Sequence, residues 1–198
     1  MAFLIRRRPR PLATLAVAMR LALAVLLIAA TTASAVEGDA STLERRVKAA
    51  FLYKFAGYVE WPAQAFVRPD DPVVIGVVGA DALADELEQV VAGRRVGNRP
   101  LITRRLDRVD PAARVHILFV GRGVDRGQVF DLLARMQREP VLTVTEADSG
   151  WLAGSVINFV IDNDKVRFQI SAAAAEGHGL RLGSQLLAVA REVRRGSP

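Results

Sequence analysis

The sequence predicts an α/β fold: one domain on a mixed sheet of about five or six strands, helices on both faces, and a C-terminal β-hairpin followed by helices. Three observations predict it. Short valine-rich apolar runs at 73–79 (VVIGVVG), 115–120 (VHILFV) and 141–145 (VLTVT) have the continuous character of strands covered on both faces. Amphipathic helical stretches alternate with them, the pattern of a parallel βαβ portion. Runs 155–161 (SVINFVI) and 166–170 (VRFQI) flank the polar turn Asp162-Asn163-Asp164-Lys165, which reads as a hairpin.

Each element follows from its own residues. From Leu43, the apolar residues Val47, Ala50, Phe51, Phe55, Tyr58 and Val59 recur at three- and four-residue steps, which is helical spacing. Ser41 or Thr42 would cap that helix, with Glu44 near its positive end. Glu60-Trp61-Pro62 would end it, because a residue before proline disfavours the α region. Asp81 would cap a second helix running to about Val91. A turn around residues 93–100 leads to a strand at 101–106. A third helix is predicted over 128–138. In the run 166–170 the alternation puts Val166, Phe168 and Ile170 on one face and Arg167 and Gln169 on the other. Two alanine-rich helical stretches, 172–176 and 182–193, follow, broken by Gly177-His178-Gly179.

Composition narrows the function. Residues 1–35 open with Arg6, Arg7, Arg8 and Arg10, continue through an apolar stretch at 21–30 and end Ala33-Ser34-Ala35. This is the layout of a secretory signal peptide cleaved after Ala35. The apolar run falls short of the roughly 20 residues of a spanning helix. Of the 27 basic residues, five arginines lie in this leader and no acids do, so 22 remain against 21 acidic residues. That balance is no electrostatic footprint for nucleic acid. The chain has no cysteine, which excludes a disulfide framework, a thiol nucleophile and Cys-based metal sites. Residues 36–42 read as a flexible mature N-terminus, 43–193 as the folded domain and 194–198 as a tail.

Gly121, Gly123 and Gly127 follow a strand and precede a helix, but GxGxxxG is one residue longer than the dinucleotide fingerprint. His116 lies within an apolar strand and reads as a packed core residue. His178, between two glycines, is a candidate ligand-binding residue in a loop. The two histidines lack metal-ligand spacing. The calcium-loop-like start Asp162-Asn163-Asp164 lacks the glycine and glutamate such a loop needs. No serine stands in a nucleophile elbow. No catalytic residue, metal site or cofactor is assigned, and the chain is not read as an enzyme. Phe51 and Phe55 recur on one helix face and are read as core, each contributing about 1.5–3 kcal/mol on burial. Tyr58 and Trp61, amphipathic aromatics at a helix end, and Trp151 on the polar turn EADSGW are candidate partner contacts.

An ordered set of segments carries a resemblance: KAAFLYKFAGYVEWP, VVIGVVG, GRRVGNRPLITRRL, HILFVG, PVLTVTEADSGW, INFVIDNDKVRFQIS and GLRLGSQLLAVAR. Together they span residues 43 to about 193, and the chain resembles the YfiR-like family of periplasmic proteins. The resemblance implies a dimeric periplasmic protein that binds the periplasmic part of a membrane diguanylate cyclase and represses it. Release of that repression raises cyclic-di-GMP and promotes biofilm formation. It also implies that an outer-membrane lipoprotein can sequester the repressor, and that some relatives serve other sensors such as histidine kinases. It lifts Arg167 and Gln169, on the outward strand face, to candidate partner contacts. Where many relatives have RFEIN, this chain has Arg167-Phe168-Gln169-Ile170-Ser171. The alternative function is a periplasmic small-molecule-binding module, with the ligand near the strand ends and His178.

Overall fold

The computed structural model describes residues 40–107, 114–147 and 154–196. One compact unit begins at Glu44, and residues 40–43, which belong to the unit before it, are helical. Helix α1 covers 40–58, so Ser41 and Thr42 lie within the helix rather than before it. It is followed by β1 (Val59–Glu60), a 3-10 turn (Ala63–Ala65), β2 (Val73–Val78), α2 (Asp81–Val91), β3 (Arg95–Val96) and β4 (Arg99–Arg105). Then come β5 (Ile117–Val120), α3 (Arg126–Met136), β6 (Leu142–Thr145), β7 (Ile157–Asp162) and β8 (Lys165–Ser171). The chain finishes with α4 (Ala172–Gly177), β9 (Arg181–Leu182), α5 (Ser184–Val189) and β10 (Glu192–Arg194).

The main sheet has eight strands in the order β10-β8-β7-β6-β5-β2-β4-β3, and β1 pairs with β9 in a separate two-stranded sheet. The α/β class and the mixed sheet hold; the strand number exceeds the expected five or six. Strands β4, β2, β5, β6 and β7 run parallel. The β7–β8 hairpin pairs Phe159 with Phe168 across its antiparallel ladder, as the alternation predicted. Its turn places Asn163 and Asp164 at positive φ, a conformation Asn and Asp tolerate better than most side chains.

Three readings are corrected. The expected single helix over 182–193 is broken into α5 between β9 and β10. Gly183 follows β9 as the N-cap of α5, with its N–H donating to the Tyr58 carbonyl at 2.8 Å, so chain pairing outweighs the local helix preference of the leucine-alanine run. The turn expected at 93–100 contains the β3–β4 hairpin, with Gly97 at a φ of 55°. Asp81 lies in the first turn of α2 rather than at its cap, which is Ala80.

Both sheet faces are covered. On one, Val73, Ile75, Ile117, Phe119, Val144, Phe159 and Phe168 pack against Leu52 and Phe55 of α1, Leu87 of α2 and Leu186 of α5. Phe55 lies between Phe159 and Phe168, with ring centroids at 5.8 and 5.0 Å, and Phe51 leans on the same rings. On the other face Val74, Val78, Leu118 and Val120 meet Val129, Leu133 and Met136 of α3. Phe55 is 1% exposed and Phe51 half-buried, so the helix stripe is core.

Candidate functional site

In an open parallel sheet, ligands usually sit outside the carboxyl ends of the strands where the strand order reverses. Here that point lies between β2 and β5, and it is filled by backbone. Gly79, at a φ of 65°, follows β2, and a Cβ on Gly121 would stand 2.6 Å from its carbonyl oxygen. A Cβ on Gly123 would stand 2.8 Å from the same oxygen. The glycines of GxGxxxG therefore let two loops touch. The amino end of α3 beyond them is occupied by the Asp125 carboxylate, which accepts from the N–H groups of Gly127 and Gln128 at 2.9 and 3.3 Å. That carboxylate stands where a phosphate would have to go.

At this same edge Lys48 of α1 is buried, and its ammonium bonds both Glu44 and Glu146. Glu146 also accepts from the N–H of Arg122 at 3.0 Å. Its carboxylate thus joins α1 to the loops after β5 and β6. Sequence reasoning missed this cluster, because Lys48 and Glu146 are 98 residues apart.

The open cleft lies at the opposite, amino ends of β5 and β6. It has a volume of about 680 Å³ and is lined by the segment before β5, the turn after α3 and the end of α4. His116 and His178 both line it. The His116 Nδ1 accepts from the N–H of Val74 at 3.1 Å, which leaves the proton on Nε2, facing the Ala65 carbonyl at 3.2 Å. The ring stacks on Phe66 at 4.4 Å, and the Arg99 guanidinium lies 3.5 Å from the centre of the Phe66 ring. Burial holds the His116 pKa below its ordinary 6.5, and the nearby Arg99 charge acts the same way, against the Ala65 hydrogen bond and the Asp71 charge. Arg99 also donates to the carbonyls of Arg68 and Asp71 at 3.0 and 2.9 Å, fixing the loop that carries Phe66. Two backbone N–H groups and the Arg68 side chain converge on Asp71. The Arg68 backbone bond, first among these, holds that carboxyl below the usual range.

The proposed site residues separate. Trp61 is half-buried, not a free rim: its indole N–H donates to the His116 carbonyl at 3.3 Å, and the ring meets Phe66 edge-on. Tyr58 packs against the core beside it. His178 is buried to 4% exposure, with Nδ1 2.8 Å from the Glu139 carbonyl and Nε2 3.4 Å from that of Gly154. It belongs to the floor of the amino-end cleft, not to the carboxyl ends of the parallel strands. Trp151 lies outside the described residues.

Arg167 and Gln169 share the outward face of β8, as the alternation predicted. Arg167 is exposed. Gln169 is built into a relay: Asn158 donates to its Oε1 at 3.4 Å, and its own amide donates to Glu192 of β10 at 2.7 Å. Asn158 Oδ1 in turn accepts from Thr145 and from the N–H of Ala147. Hydrogen bonds from Arg194 and Gln169 hold the Glu192 carboxyl below its ordinary value. Strand β10 pairs parallel with β8 through Gln169 to Ser171, so that stretch of the hairpin edge is not free for a second chain.

Among the described residues no helix is long and apolar enough to cross a membrane, and no group of three or more His, Asp and Glu side chains is placed to hold a metal ion. The architecture is that of an α/β domain with its two histidines bonded to its own backbone. The profile of the YfiR/HmsC-like family matches residues 45–191, and the chain belongs to that family, which comprises periplasmic regulatory proteins. A comparison with curated proteins returned no match.

Proposed function

We propose that this protein is an exported signalling adaptor, released from its leader after Ala35, that binds the periplasmic part of a membrane diguanylate cyclase and represses it. Cyclic-di-GMP and biofilm formation would fall under its control. The observation that carries this reading is the family match over residues 45–191, which spans the main sheet, except β10, and its helices through α5. Repression follows from linkage: a protein that binds the inactive sensor conformation more tightly shifts the sensor population toward it, and a competing partner reverses the shift. An outer-membrane lipoprotein is the proposed competitor, and a homodimer the proposed active form.

The contact surface we assign is the outward face of β8, where Arg167 is exposed and Gln169 is braced from both sides. Tyr58 and Trp61, half-buried against the core at the end of α1, are a second, separate candidate contact. Affinity purification of the tagged, natively expressed protein from solubilised envelopes should recover a membrane protein with a cyclase domain, and Arg167→Glu should weaken recovery at equal abundance. Recovery of a histidine kinase instead would move the same adaptor to another sensor. Recovery of no membrane sensor would contradict the proposal. The small-molecule reading is favoured by one observation, the 680 Å³ cleft over His178.

A further inference from the structure

We propose that the cleft at the amino ends of β5 and β6 binds a small multivalent oxyanion through the guanidinium groups of Arg114, Arg135 and Arg138. The inference concerns binding alone and stands whether or not the partner is a cyclase.

The cleft is built rather than incidental. Its floor contains two buried imidazoles, His116 and His178, whose ring nitrogens are directed at backbone groups. They shape the pocket and leave recognition to other groups. Three arginines contribute to the lining, and the acidic side chains there are Glu139 and Glu176, so positive charge exceeds negative by one. Among the described residues none of these three guanidiniums forms a hydrogen bond or ion pair. Elsewhere at the surface, by contrast, Arg105 bonds two carboxylates at once. A planar guanidinium presents up to five donors, and several converging on one concavity match the paired acceptor oxygens of carboxylate or phosphate.

Arg138 adds a backbone observation. It sits two residues past the end of α3 at a φ of 75°, a left-handed position that helix ends usually give to glycine. A side chain held where its backbone disfavours one points to a use for that side chain. Arg135, in the last turn of the same helix, offsets the negative pole that α3 directs toward the cleft. The other charged clusters offer less: the Lys48 ammonium is taken by two carboxylates, and the amino end of α3 is taken by Asp125.

The test is calorimetric titration of the exported protein with inorganic phosphate and, separately, with citrate, at constant ionic strength. Arg138→Gly, Arg135→Gln and the control Arg181→Gln are measured in parallel. One saturable site is expected for at least one anion, and the preferred anion identifies the class of the natural ligand as phosphorylated or polycarboxylate. Arg138→Gly should weaken binding about tenfold or more, the size of losing one charge-assisted hydrogen bond, without lowering the melting temperature. Arg135→Gln should weaken it also, and Arg181→Gln, on a side chain 86% exposed and paired with Glu60, should not. Absence of saturable binding by both anions would overturn the proposal. So would binding unchanged in Arg138→Gly and Arg135→Gln, or weakened equally by the control.

Discussion

Replacing Lys48 with methionine isolates what the buried ammonium does. Methionine keeps most of the aliphatic stem, so packing in α1 is nearly preserved and the charge is removed. The Lys48 side chain is 5% exposed and that of Glu146 only 10%, so the pair is out of water. Glu44 is 30% exposed and lies 3.9 Å from Arg122, and it can find solvent and a second cation. Glu146 keeps one bond, from the Arg122 N–H to Oε1, while its other oxygen loses its partner. Stranding one partner of a buried pair costs about 3–5 kcal/mol. The remaining bond and the residual exposure place Lys48→Met at the lower end, about 3 kcal/mol. Urea unfolding of the exported protein would read this as a lower midpoint at unchanged slope. Adding Glu146→Gln should recover at least half the loss, because the stranded group is then neutral. A loss below about 0.5 kcal/mol, the scale of an exposed pair, would refute the reasoning. So would a double variant no more stable than Lys48→Met alone.

Three further outcomes follow from the same geometry. Gly121→Ala would bring a Cβ to 2.6 Å from the Gly79 carbonyl and 2.7 Å from the Ala80 Cβ; a loss of about 1–3 kcal/mol is expected, measured by denaturant titration. His116 has a folded pKa below the ordinary 6.5, so the unfolded chain takes up its proton first as pH falls. The neutral imidazole's contribution is therefore complete above about pH 6.5 and declines as pH drops through that value toward the folded pKa. Melting scans from pH 7.5 to 5.5 should show this slope in the wild type and a flatter one in His116→Asn. Gln169→Glu would set a carboxylate against Glu192 at a contact now 2.7 Å long. The melting temperature should fall by about 2–4 °C at pH 7, the scale of 1 kcal/mol, with the gap narrowing on acidification.

What the sequence discloses depends on how local the cause is. The valine-rich runs at β2 and β5 are legible because strands buried on both faces need continuous apolar residues, and α1 is legible from its spacing. Segment 182–193 was not, because its helical composition yields to pairing of β9 with β1 and of β10 with β8. The exposed position of Arg167 follows from strand alternation, whereas the relay through Gln169 requires knowing that Asn158 and Glu192 flank it. His116 could be read as a core residue from its apolar neighbours. His178 could not, since nothing in Gly-His-Gly shows that the carbonyls of Glu139 and Gly154 come to meet the ring. The hydrogen bond of the Trp61 indole was hidden for a similar reason: its acceptor, the His116 carbonyl, is 55 residues away. The arginines of the cleft come from three separate places, before β5, in α3 and after α3, and only the fold gathers them.

The central claim is repression of a membrane cyclase, and the direct measurement is cellular cyclic-di-GMP with and without this gene in the intact host. Deletion should raise the nucleotide, and the exported wild-type protein should restore the original level. A version lacking residues 1–35, the proposed leader, would stay in the cytoplasm and should not restore it. Unchanged cyclic-di-GMP on deletion would contradict the cyclase assignment.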